Sequence, residues 1–276
     1  LGSTFGAVGI PGAFDDRDAQ VLLGFVTAAA GIAPGQSLSS YNVTSVTLSA
    51  TLNNNPPNSF AYDPTHDPLA SYTGGVDGDA GRPLELYGVG FRNGYAFFDF
   101  AGTNGSAPPG FQEDEVFGFG DPTGEGVRSV FAADVSSGSL RDVSNNVRDG
   151  FETSPFAIGT TSLAPGSDVT PGTMFEFEID LLDPAILAYI QQGMAQGQLG
   201  FALSSFHVAD QFGPVVYPAI QLSGFPGGTA PTLTIVLEDA TGNPGAATPE
   251  PATLALLGLG GVVALRRRSG GHGARR

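Results

Sequence analysis

Short apolar runs recur along this chain, each a few residues long and each closed by glycine or proline. Their internal period is close to two. In residues 43–52, Val-Thr-Ser-Val-Thr-Leu-Ser-Ala-Thr-Leu, apolar side chains return at every second position. In residues 174–181, Phe175, Phe177, Ile179 and Leu181 fall on one face, and Glu176, Glu178 and Asp180 on the other. Alternation of this kind marks a half-buried strand. The same reading predicts strands at residues 20–27, 43–52, 84–92, 95–100, 127–132, 173–181, 200–205 and 232–237. Glycine (41 residues) and proline (21) are scattered between these runs and not massed in one linker, so they act as turns. Many short strands joined by turns predict an all-β fold, a sandwich or barrel.

One segment has a different period. In Asp183-Pro184-Ala-Ile-Leu-Ala-Tyr-Ile-Gln-Gln-Gly-Met-Ala-Gln196-Gly197, residues Ile186, Leu187, Ile190 and Met194 form a helical stripe. Asp183 can accept from free N–H groups at the N-terminus, Pro184 suits the first helical position, and Gly197 can close the last turn. Longer connections are expected at residues 53–83, 102–126 and 136–150, and loops of that length usually carry function or mobility. No internal repeat is present. The expected organisation is one β domain over residues 1–240, a Gly/Ala/Pro linker at 241–248, and a separate tail at 249–276.

The tail reads as an address. Pro249-Glu250-Pro251 precedes an uncharged stretch from Ala252 to Leu265, and Arg266, Arg267 and Arg268 follow it. The stretch is expected to be a single C-terminal apolar helix, although stable spans usually need roughly 20 residues. Its small residues permit close helix packing. Arginines flanking an apolar segment stay in the cytoplasm, which puts the residues before Pro249 outside. The two prolines keep the triplet extended, the form in which a protease binds backbone. The alternative is a buried core helix with a basic C-terminus, but nothing globular follows the segment. The three parts, in this order and spacing, resemble the PEP-CTERM sorting signal of exported bacterial proteins. That resemblance covers about the last thirty residues. It implies recognition by an exosortase, a membrane-bound cysteine-type transpeptidase, with cleavage near the triplet. It also implies a Gram-negative-type cell, often one making exopolysaccharide, and a product that is anchored in the inner membrane before processing and then lies at the cell surface or outside.

Charge sharpens the picture. Five of the eleven arginines lie in the tail and there is no lysine, so residues before Pro249 carry 26 acids against six arginines, a net charge of −20. Such a field repels nucleic acid and anionic membrane surfaces and suits divalent cations as neighbours; the alternative for most of these acids is plain surface solvation. Cysteine is absent, which removes thiolate nucleophiles, zinc–thiolate sites and iron–sulfur clusters. The domain must then be held by its own core, and its length is sufficient for one. Tryptophan is absent too, leaving tyrosine and phenylalanine as platforms for sugars. The opening residues show neither a basic n-region nor a long apolar stretch, so the export signal is expected to have been removed or to precede this sequence.

A second resemblance concerns the body. Asp16-Arg17-Asp-Ala-Gln-Val-Leu-Leu-Gly-Phe25, then Tyr41 to Ala50, and the late Gly200 to Ser205, Tyr217-Pro218 and Pro231 to Ile235 look like the opening and closing strands of DNRLRE-type modules. This implies a jelly-roll-like β-sandwich related to carbohydrate-binding domains. Among candidate chemistry, Asp77-Gly-Asp79-Ala-Gly81-Arg82-Pro83-Leu-Glu85, with His66 and Asp67 upstream, offers hard oxygens on a glycine-rich turn. Asp77, Asp79 and Glu85 are the candidate ligands for Ca²⁺; the alternative is an Asx-type turn with Arg82 paired to an acid. Glu113-Asp114-Glu115 reads as a solvated acidic run. His207 follows Ser204 and Ser205, but no Gly-x-Ser-x-Gly elbow is present, and the glycines at 88, 90, 118 and 120 precede no helix that would make a phosphate cradle. The expected function is non-catalytic: an exported surface or matrix protein with a structural or adhesive role. The alternative is an exopolysaccharide-binding module. A glycoside hydrolase would require two carboxylates in a cleft.

Overall fold

The computed structural model describes residues 4–5, 19–53, 59–70, 79–91, 130–143, 146–206, 219–221, 228–238 and 253–254. They form strands β1 (Thr4–Phe5), β2 (Ala19–Phe25), β3 (Val43–Thr51), β4 (Tyr62–Asp63), β5 (Arg82–Pro83), β6 (Glu85–Phe91), β7 (Val130–Asp134), β8 (Arg141–Asp142), β9 (Ala157–Ile158), β10 (Met174–Glu178), β11 (Leu199–Ser205), β12 (Thr232–Leu237) and β13 (Thr253–Leu254). One substantial helix, α1 (Pro184–Gln196), interrupts them. The larger sheet has the order β1-β2-β11-β6-β7-β8, with β9 also on β6, and the smaller has β10-β3-β12-β13. All these ladders are antiparallel, whereas β4 and β5 form a separate parallel pair. The all-β class read from the sequence is the observed one.

The alternation in the sequence sets which face is buried. In β10, Phe175 and Phe177 point inward while Met174, Glu176 and Glu178 are exposed. In β3 the strict period fails once. Val43 and Val46 are both buried although three residues apart. The ladder to β12 accounts for this, because Val236 lies opposite Ser45 and Leu237 opposite Val43. Thr44 is therefore an extra residue, and such a bulge returns the next side chain to the same face.

Both sheets contribute to one hydrophobic core. Leu23, Leu86, Phe201 and Leu203 come from the larger sheet, and Leu48, Phe175, Phe177 and Leu233 from the smaller. Edge-to-face pairs, Phe25–Phe201 at 6.2 Å and Phe156–Tyr189 at 5.2 Å between centroids, suit the ring quadrupoles. Helix α1 is built as its sequence dictates. The Asp183 carboxylate accepts from the Ala185 N–H at 2.8 Å, and Gly197 ends the helix at φ 83°. Ile186, Ile190 and Met194 enter the core, and Leu187 is half-buried against it. The outer face of β6 is covered as well, with Tyr87 and Val89 packed among Leu22, Ala132, Val143 and Ala202. Burial on both faces explains why β6 reads as a continuous apolar run and not as an alternation.

Several elements differ from the sequence reading. Of the expected strand at 127–132, residues 130–132 fall in β7, which runs on to Asp134, and residues 127–129 lie outside the described residues. The connections at 53–83 and 136–150 carry β4, β5 and β8, too short for any periodic signal. The expected strand at 95–100 and the loop at 102–126 lie outside the described residues. Of the expected apolar C-terminal helix, only Thr253–Leu254 is described, and there the chain is extended, with Leu254 opposite Leu233. Among the described residues, no helix is long and apolar enough to cross a membrane.

At Gly90, a Cβ would overlap the Phe131 ring across the β6–β7 ladder. Replacing Gly90 by Ala is expected to cost about 1–3 kcal/mol through overpacking, visible as a lower midpoint in urea unfolding; an unchanged midpoint would mean that Phe131 is not held against this backbone.

Candidate functional site

The parallel pairing of Tyr62 with Arg82 and Asp63 with Pro83 closes the long connection on itself. It requires a left-handed Gly81 (φ 113°), where a Cβ would strike the Ala61 carbonyl oxygen. The result brings acids from distant positions together. One carboxylate oxygen from each of Asp63, Asp67 and Asp79 lies within 4.8 Å of the others. Asp63 and Asp67 are buried, and Asp79 is exposed at the mouth. Asp63 Oδ1 accepts from the Thr65 N–H at 2.8 Å, an Asx-type turn. The Thr65 hydroxyl sits 2.7 Å from Asp63 Oδ1 and 2.9 Å from Asp79 Oδ2. A hydroxyl has one proton, so it serves one of these two carboxylates at a time. Arg82 Nη1 donates to Asp67 Oδ2 at 3.1 Å, which places one positive charge against the cluster.

Glu85 lies near this cluster in sequence but is not one of its three carboxylates. It begins the central strand β6, is fully buried, and its Oε2 accepts from the Tyr87 hydroxyl at 2.7 Å. That hydroxyl also meets Thr153 Oγ1 at 2.8 Å. Oε1 meets His66 Nδ1, whose ring is about one-third exposed (31%). With Glu85 ionised, the proton lies on Nδ1, and the pair ties residues 64–68 to the centre of the larger sheet. A parallel arrangement holds the next loop. Asp134, fully buried at the end of β7, accepts from Arg141 Nη2 at 2.7 Å and from the Ser136 N–H at 2.7 Å. The Arg141 guanidinium also stacks 4.4 Å from the centre of the Phe151 ring.

Of the residues proposed as calcium ligands, Asp79 belongs to the clustered carboxylates, Glu85 sits in the buried His66–Tyr87 network, and Asp77 lies outside the described residues. The structure adds Asp63 and brings in Asp67. Both stand before proline, in Asp63-Pro64 and Asp67-Pro68, and this repeated Asp-Pro spacing was the available signal. Arg82 pairs with an acid, as the turn reading expects. His207, Glu113-Asp114-Glu115, Pro249, Glu250, Pro251 and Arg266 to Arg268 lie outside the described residues. Gly88 and Gly90 are strand glycines of β6.

Comparison with known proteins identifies one segment. Residues 247–268 match the PEP-CTERM protein-sorting motif. No curated protein and no solved structure matches the chain, so the likeness to DNRLRE-type modules gains no support. The sorting motif marks a protein targeted to exosortase processing and to export, anchored in the membrane before it is processed.

Arg141→Ala would leave Asp134 buried without its counter-charge, and removing one partner of such a pair costs about 3–5 kcal/mol. The loss should appear as a lowered melting temperature. The double change Asp134→Asn with Arg141→Met should regain most of it; equal stability of Arg141→Ala and the parent would refute the role given to this pair.

Proposed function

We propose that this chain is an exported, non-catalytic component of the cell surface or extracellular matrix, with a structural or adhesive role. The observation that carries the reading is the sorting motif at residues 247–268 behind a body of net charge −20. In this reading Arg266 to Arg268 stay in the cytoplasm, the apolar stretch anchors the precursor in the inner membrane, and exosortase acts near Pro249-Glu250-Pro251. The acidic body is delivered to the surface or the medium. The body is read as a jelly-roll-like sandwich, supported by two antiparallel sheets that share one core. A structural role is favoured by how the buried acids are used. Asp134, Asp67 and Glu85 each hold a loop in place through Arg141, Arg82 and His66.

The experiment is fractionation of the native producer with mass spectrometry of the C-terminus. The expected product is a surface or extracellular species lacking the residues after the triplet. Replacing Arg266, Arg267 and Arg268 by Ala should reduce processing and leave the C-terminus intact. Finding the parent chain intact and cytosolic would overturn the reading.

A divalent cation at the acid cluster is a second reading, favoured by the convergence of Asp63, Asp67 and Asp79 on one point. These oxygens are the hard donors that Ca²⁺ takes, and extracellular calcium modules bind at about 10⁻⁴–10⁻³ M. At about 10 mM CaCl₂ that affinity stabilises by about 1.4–2.7 kcal/mol. The melting temperature should rise accordingly in the parent and not in Asp79→Asn, and no rise in the parent would remove the site.

A further inference from the structure

A cleft of about 390 Å³ lies between helix α1, the β6 and β11 strands and the turn at residues 136–140. Its volume is within the range of small-molecule sites, which begin at about 300 Å³. Among the described residues that line it none is charged, in a chain with 27 acids. Gln192 and Gln196 stand one helical turn apart on α1, both exposed, and Gln198 follows just after the helix ends. Each amide offers two donors and one carbonyl acceptor. Phe91, Leu140 and Tyr189 supply the apolar wall, and Leu140 is more than half exposed (53%) at the rim.

The walls are held rigidly. The Tyr189 hydroxyl donates to the Gly200 carbonyl at 2.7 Å and accepts from the Val89 N–H at 2.8 Å, so this one side chain locks α1 to both β11 and β6. Burial pushes its phenol well above the usual range, which keeps it neutral and donating. Because α1 is capped at both ends and its inner stripe is buried, the two exposed glutamines project from a fixed backbone.

The lining selects among ligands. A wholly apolar ligand would strip water from three amides without replacing their hydrogen bonds. A cation would find no carboxylate among the described residues of the lining, and an anion would have to approach through the acidic field of the body. A neutral polyhydroxylated ring satisfies both halves of the lining, with hydroxyls on the amides and C–H faces on the phenylalanine and leucine. We propose that this cleft is a binding site for a neutral saccharide. The proposal deepens the reading of the protein as an exported surface component and rests on it for the availability of the ligand.

The test uses the full chain in mild detergent, titrated calorimetrically with cello-, laminari-, manno- and galactohexaose, and with polygalacturonate as the anionic comparison. At least one neutral hexasaccharide should bind with a Kd at or below the millimolar range, and polygalacturonate should bind at least tenfold more weakly. The double change Gln192→Ala with Gln196→Ala removes only exposed amides. It should weaken binding at least tenfold with an unchanged melting temperature. No binding to any neutral hexasaccharide, equal binding to polygalacturonate, or undiminished binding by the double variant would each overturn the site. Export is read from the cellular location of the native protein, so the two ideas fail separately.

Discussion

Strand β6 has no face turned to water. From Glu85 to Gly90 every residue is buried, with β11 on one edge and β7 on the other. Leu86 faces the core shared with the smaller sheet, and Tyr87 and Val89 face the outer cluster. A polar group in such a strand must bring its partners with it. Glu85 does so through Tyr87, two residues on and hence on the same face, and through His66 from the long connection. The connection is thereby fixed, and with it the parallel β4–β5 pair that gathers Asp63, Asp67 and Asp79. The cleft depends on the same strand, because Val89 donates its N–H to Tyr189 of α1.

The electrostatics follow from scarcity. The body has six arginines and no lysine for 26 acids. Two of those arginines, Arg82 and Arg141, are used against buried aspartates, where a missing counter-charge is most costly. Exposed acids such as Glu176 and Glu178 are left to solvent, where they cost little and keep like molecules apart. The described lining of the cleft beside α1 carries no charge, which leaves amide and ring groups to set its chemistry.

Much of this was legible in residues and some was not. The burial of β10 follows from Phe175 and Phe177 alternating with acids, and the ends of α1 from Asp183 and Gly197. Glu85 was not legible as a core residue. The nearby Asp-Gly-Asp turn suggests a ligand, whereas the strand pairing of β6 with β11 takes the side chain inward. Asp63 was missed because a parallel ladder joins it to residues near 82, and no local period encodes a pairing across that distance. The sorting motif was the most readable feature, since three short elements in fixed order need no fold to be recognised.

The strand order has a consequence for timing. Val21 finds its partner at Leu203, Leu48 at Leu233, and Leu86 at Leu203. The first half of the chain thus cannot close either sheet until the second half exists, and contacts between remote segments form slowly. A polypeptide that stays open while it is being made can still be threaded through a narrow conduit. Pairing across this distance leaves both sheets incomplete until the second half has been made.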